Sequence, residues 1–190
     1  MHKLPVRKKN RLAGHDYSSA GRYFITICVK NRHELLWSES VRAASGRPNS
    51  PDSPILSSIG EIVVMEIQKI GQIYDNVHVD KYVVMPNHIH MILVLGRIEE
   101  ENGRHTVENG RHTVENGRHT VENGRPKAAP TVSRIINQFK GSVSKQAGFS
   151  LWQKLFHDRI IRDDNEHERI AQYIENNPFN WKKDCFHPMN

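Results

Sequence analysis

The apolar patterning of this chain predicts an α+β fold, an antiparallel sheet with helices on one face and a further helix near the C-terminal end. Three observations carry the prediction. The 190 residues suit one ordinary domain, or one domain with an insertion. Runs of β-branched and aromatic residues alternate with segments of helical period, in the order strand, helix, strand, strand, helix, strand, helix. The second and third strands are separated only by Pro86-Asn87, a turn tight enough to require an antiparallel hairpin.

Each element follows from its residues. Tyr23-Phe24-Ile25-Thr26-Ile27-Cys28-Val29 has strand composition. Residues 43–57, with Gly, Pro, Ser and Asp, read as a surface loop. Ile59, Ile62, Val63, Glu66, Ile67 and Ile70 fall on one helical stripe, which predicts a helix over 58–72 with Glu66 as its polar exception. Val77–Met85 is the second strand and His88–Leu95 the third. Val132, Ile135, Ile136 and Phe139 predict a helix over 131–146. Phe156–Arg162 reads as a short strand. Asp163 or Asp164 then caps a helix containing Ile170, Ala171, Tyr173 and Ile174. Pro178 ends it, since the residue before a proline avoids the α region. The order matches the ferredoxin-like split βαβ plan, which serves many functions and names none.

Charge and composition narrow the function. Lys plus Arg number 27 against 21 Asp plus Glu, a net charge of +6, which favours a polyanionic partner, most simply nucleic acid. Lys3, Arg7, Lys8, Lys9 and Arg11 precede the first acid, Asp16. The segment 1–13 therefore reads either as a solvated tail or as a basic arm along phosphates. Two cysteines, Cys28 and Cys185, make no disulfide framework, so a reduced, cytosolic protein is the default. No stretch reads as a secretory signal or a membrane span.

Apolar residues are only 37% of the chain, and the deficit is local. Glu101-Asn102-Gly103-Arg104-His105-Thr106-Val107 recurs at 108–114 and 115–121, with a partial copy at 122–125. One Val and one Gly per unit give neither a coiled-coil seam nor a solenoid unit. Such a segment buries too little to offset its ordering entropy. Residues 97–130 are read as a flexible loop insertion in a single domain spanning 1–190.

Chemistry concentrates in two places. His88 and His90 lie two apart on one strand, so both imidazoles share a face and supply two ligands for a divalent metal. A bare His-x-His is more often a hydrogen-bonded pair, and a third ligand and a reacting group are needed to reverse those odds. Tyr173 and Asn177, four apart, share one face of the last helix. An amide oxygen completes a ligand set, and a tyrosine hydroxyl beside it is a nucleophile for phosphate.

These residues carry a resemblance. Met85-Pro86-Asn87-His88-Ile89-His90-Met91 resembles the histidine–hydrophobe–histidine motif of HUH nucleases. Tyr173-Ile174-Glu175-Asn176-Asn177-Pro178 resembles the nucleophile helix of single-tyrosine insertion-sequence transposases. The branch most similar is that of REP-associated tyrosine transposases, which Arg11–Tyr17, Tyr23–Cys28 and Leu151–Arg162 also match. The resemblance covers nearly all of the chain outside 101–125.

The resemblance implies a bacterial, cytoplasmic enzyme, associated with the nucleoid when bound to DNA. It cuts and rejoins single-stranded or hairpin DNA. Tyr173 attacks a phosphodiester and becomes joined to a 5′-phosphate. Mg²⁺ or Mn²⁺ is held by His88 and His90. The third ligand comes from the tyrosine helix, often Gln in relatives, with the shorter Asn177 here. Relatives include monomers and homodimers. The candidate DNA contacts are Lys8, Lys9, Arg11, Arg134, Lys140, Arg159 and Arg162, with Trp152 and Phe156 for stacking or for ordinary core packing. A free phenol has a pKa of about 10, so the nucleophile needs help, and His157 and Asp158 are the candidate bases.

Two other readings stand beside this one. One is an RNA-recognition module, disfavoured because histidines replace an aromatic platform. The other is a decayed transposase that binds hairpins without cutting. Deleting 101–121 is expected to leave folding and cleavage largely intact, because lengthening or shortening a flexible loop changes little. Loss of soluble, folded protein in that deletion would overturn the loop reading.

Overall fold

The computed structural model describes residues 14–39, 55–97 and 130–188. The basic arm, with Lys8, Lys9 and Arg11, lies outside the described residues. So do most of the 43–57 loop and nearly all of the 97–130 insertion. The elements are β1 (Gly21–Cys28), α1 (Ser58–Ile73), β2 (Val77–Val84), β3 (His88–Leu95), α2 (Val132–Ala147), β4 (His157–Ile161), α3 (Asp164–Asn176) and a 3₁₀ helix, Pro178–Lys183.

The four strands form one antiparallel sheet in the order β2-β3-β1-β4. This is the α+β split βαβ plan, with each βαβ unit skipping one strand. Alternation along the strands divides the core in two. Tyr23, Ile25 and Ile27 of β1 and Ile89, Met91 and Leu93 of β3 pack under α1 and α2. Val83 and Ile92 pack on the opposite face with Ala171 and Ile174 of α3 and Trp181. Because β3 is central and covered on both sides, it is buried almost throughout. That explains its unbroken apolar run. In β2 the register slips between Val79 and Lys81. The bulge reverses the alternation there and turns Lys81 toward α3, where it pairs with Glu175.

Helix ends follow local chemistry. The Ser57 hydroxyl accepts from Gly60 N at 3.1 Å and donates to Leu35 O at 2.6 Å, so one side chain starts α1 and ties it to the loop after β1. Gly60 sits against that loop, and a Cβ there would fall 2.2 Å from Leu36 O. Gly60→Ala is therefore expected to destabilise the fold by about 2–3 kcal/mol, through overpacking against backbone. An unchanged midpoint of urea unfolding would refute this. Glu66 is buried because it bridges helices: it pairs with Lys69 and accepts from Gln146 Nε2 of α2 at 2.8 Å.

At α3, Asp163 is the cap, accepting from Glu166 N at 2.7 Å. The Glu166 carboxylate in turn accepts from Arg162 N at 2.9 Å. The far end departs from expectation. Asn177 stays in the α region (φ −59°, ψ −44°) despite preceding Pro178. The proline ends the α ladder by lacking an N–H, and the chain tightens into the 3₁₀ helix.

Candidate active site

The turn between β2 and β3 builds the first half of the site. Met85 N donates to His88 O at 2.8 Å, closing the hairpin around Pro86-Asn87. Asn87 is fully buried. Its Nδ2 donates to Phe186 O at 2.8 Å and Arg32 O at 3.3 Å. Its Oδ1 is left to accept from His88 Nδ1 at 2.8 Å. The amide thus assigns the proton to Nδ1 and leaves the His88 Nε2 lone pair free. Asn31 and Arg32, consecutive residues at φ 56° and 57°, turn the Arg32 carbonyl onto Asn87. This left-handed backbone costs about 1–2 kcal/mol per non-glycine residue. The same turn lays the Arg32 guanidinium over the Phe186 ring at 5.1 Å, and Phe186 lies against His88 at 4.5 Å between ring centroids.

His90 is held from the neighbouring strand. Its register partner is Thr26, whose hydroxyl lies 2.8 Å from His90 Nδ1. Phe24 stacks on the ring at 5.2 Å. The two Nε2 atoms then meet at 3.0 Å, the separation of two ligands at right angles around an ion at about 2.1 Å. Burial pushes His88 down to about 2 and His90 to about 3. Both rings are neutral at pH 7 and available as ligands.

The second half comes from α3. Ala171 and Ile174 seat the helix on the sheet. His167 bonds Asp80 at 2.7 Å, and Arg159 of β4 pairs with Glu166 at 2.5 Å. Tyr173 is thereby aimed at the histidines, its hydroxyl 3.2 Å from His90 Nε2, with Phe24 edge-on at 6.1 Å. Burial pushes the Tyr173 phenol up to about 12 and the Asp184 charge adds to the rise, while the Asn177 amide pulls the other way.

Asp184 follows the 3₁₀ helix and is buried. Its Oδ1 accepts from Phe186 N at 2.7 Å, and its Oδ2 lies 4.0 Å from His88 Nε2. Ligand atoms of His88, His90 and Asp184 fall within 4.8 Å of one another. Asn177 is also buried, and its Oδ1 finds no hydrogen-bond partner. Two neutral imidazoles, a carboxylate and an orphaned amide oxygen fit a divalent cation. Beside Tyr173, Asn177 and Asp184 opens a groove of about 430 Å³.

The structure sets His88 against His90 and Tyr173 against His90, with Asn177 beside Tyr173 and Asp184 in the groove. Spacing predicts each pair's shared face, and the meeting of the two pairs is tertiary. Asp184 is the residue that sequence reasoning missed, along with the supports Thr26, Phe24 and Phe186. It sits in Trp181-Lys182-Lys183-Asp184, a charged run with no period to mark it. The candidate bases fare differently. His157 pairs with Thr26 and shares the histidine face, whereas Asp158 pairs with Ile25 and so shares the α1–α2 face, away from Tyr173. Its candidacy is overturned by strand alternation. Among the other candidates, Trp152 is buried against Phe139, and Phe156 joins the same core. Lys140 Nζ donates to Gln153 O and Lys154 O at 2.7 and 3.0 Å. Arg134 is exposed on α2, across the sheet from Tyr173, and Arg162 is exposed at the start of α3.

The fold and this cleft define an α+β protein with two inward histidines facing a helical tyrosine. No family model matches the chain. It is 30% identical over 183 residues to an uncharacterized protein of Haemophilus influenzae (strain ATCC 51907 / DSM 11121 / KW20 / Rd), covering 94% of this chain and 91% of that one, and it belongs to the same family. It shares its fold with a solved structure of a REP-associated tyrosine transposase bound to a REP hairpin, at a TM-score of 0.53 and 16% identity, over 90% of this chain and 74% of that one.

Proposed function

We propose that the protein is a metal-dependent transposase or strand transferase that cuts and rejoins single-stranded or hairpin DNA through a 5′-phosphotyrosine intermediate. The observation that carries this reading is the meeting of the Tyr173 hydroxyl with the His88–His90 pair across 83 residues of chain. The fold shared with a hairpin-bound transposase supports it. In the cleavage step a bond forms from Tyr173 Oη to phosphorus as the bond to the 3′-oxygen breaks. The phenol proton is released and the departing 3′-oxygen becomes a hydroxyl. The phosphotyrosine keeps the phosphodiester energy, so rejoining by another 3′-hydroxyl needs no nucleotide cofactor.

Mg²⁺ or Mn²⁺ held by His88, His90 and Asp184, with Asn177 in reach, would supply positive charge to the phosphoryl and departing oxygens. Two imidazoles in the donor set favour Mn²⁺ over Mg²⁺. Asn87 and Thr26 hold the histidines in their ligand orientation, and Phe24 holds the ring planes of His90 and Tyr173. Burial raises the Tyr173 phenol to about 12, so the bound cation would have to offset the cost of releasing its proton. Tyr173 meets His90 of its own chain, which supports use of the tyrosine within one chain, whether the protein is a monomer or a homodimer. Arg162, Arg134 and the basic arm, with Lys8, Lys9 and Arg11, are proposed phosphate contacts. Arg159, Lys140 and Trp152 serve DNA only if released from their present partners. A protein of this kind works in the bacterial cytoplasm, on the nucleoid. Among the described residues no helix is long and apolar enough to cross a membrane.

The test is a denaturing gel of the purified protein with labelled hairpin DNA taken from the flanks of its gene, in Mn²⁺ or EDTA. A metal-dependent band that survives denaturation is the expected result. Binding without any such band selects the decayed, hairpin-binding alternative.

A further inference from the structure

The groove beside Tyr173 runs away from the histidines along α3 and the 3₁₀ helix. Its wall carries three side-chain amides at four-residue steps, Gln172, Asn176 and Asn180, between two cations, Arg169 and Lys183. All five are exposed, and none is needed to seat α3 or to hold the histidines. The amides are nonetheless oriented. Asn176 Nδ2 donates to Gln172 O at 2.9 Å, Asn180 Nδ2 donates to Asn176 O at 3.0 Å, and Gln172 Nε2 donates to Glu168 Oε1 at 3.0 Å. Each amide thus has one N–H committed one turn back. That sets its plane and leaves a carbonyl oxygen and a second N–H for a ligand.

A side chain pinned in this way gives up less freedom on binding than a loose one. From Gln172 to Asn176 the α-helix advances about 6 Å, and Asn180 follows on the 3₁₀ helix at a longer rise per residue, so successive amides meet successive points along an extended strand. One free N–H beside one free C=O is the pattern that pairs bidentately with adenine at N7 and N6. The flanking guanidinium and ammonium suit backbone phosphates.

We infer that this groove seats the unpaired nucleotide next to the scissile phosphate, with Arg169 and Lys183 on the backbone and the Gln172–Asn176–Asn180 amides reading an adenine. This rests on the strand-transfer reading above and adds base selection at the cleavage point to it. The groove is continuous with Tyr173, Asn177 and Asp184, so a base held there places its own phosphate at the nucleophile.

The experiment uses the full chain in Mn²⁺ with a pool of hairpin oligonucleotides whose single-stranded arm is randomised. DNA recovered from the covalent adducts is sequenced. Wild type is expected to enrich adenine about tenfold at a position beside the cleaved bond. Asn176→Ala and Asn180→Ala should bring that ratio close to one. Arg169→Gln and Lys183→Gln should lower total adduct and weaken its salt dependence while the base profile stays. A flat wild-type profile, or a profile that survives both Asn substitutions, overturns the inference and leaves strand transfer standing. Failure of the wild type to form adduct with any member of the pool defeats strand transfer itself, and base selection falls with it.

Discussion

Tyr173→Phe is expected to abolish the covalent DNA adduct, below about one part in a thousand of wild type, because only the attacking oxygen is removed. The ring keeps its edge contact with Phe24, and the helix keeps the apolar contacts of Ala171 and Ile174. The lost hydrogen bond to His90 is half-exposed and worth about 1 kcal/mol. Hairpin affinity should therefore stay within about twofold of wild type, since the phosphate contacts that dominate it are untouched. Adduct yield and gel-shift affinity measured on the same preparation separate the two effects. A persistent adduct in the variant would mean that another side chain is the nucleophile.

The second large effect is expected at Asp184. Asp184→Asn keeps the shape and one oxygen but removes the negative charge from the ligand group. Loss of even an outer partner of a metal ligand lowers affinity by about 10–100-fold. The half-saturating Mn²⁺ concentration for adduct formation should rise by at least about 100-fold. Asn177→Ala, which deletes a neutral amide oxygen, should raise it by about tenfold. A manganese titration followed by electron paramagnetic resonance reads the binding without requiring cleavage. Equal effects at the two positions, or a larger one at Asn177, would restore the amide as the principal third ligand.

That pair of substitutions marks where sequence reasoning stopped. The histidines were legible because strand alternation puts residues two apart on one face. Tyr173 and Asn177 were legible because a helix puts residues four apart on one face. Asp184 has neither relation to them. It reaches the histidines only because Pro178 turns α3 into a 3₁₀ helix whose Trp181 packs into the same core. Asn87 read as a turn residue, since nothing local shows that Arg32 and Phe186 place carbonyls on its amide. Trp152 was ambiguous for a similar reason: aromatic composition suits both a stacking platform and a core, and only its neighbours decide between them.

What the sequence determined by itself is whatever repeats at the period of a strand or helix turn. This covers the seven regular elements, their order, an Asp163 or Asp164 cap on the last helix, and the tight hairpin that starts β3 at His88. Local sterics and the need to bury one face are enough to produce these. Only the tertiary structure decided which face each element presents and which distant groups meet. It set α3 against the histidine face and Asp158 on the other, buried Glu66 by giving it partners on α2, and delivered Asp184 to the cleft. Those outcomes depend on packing and hydrogen-bond satisfaction between segments far apart in the chain, and no local pattern encodes them.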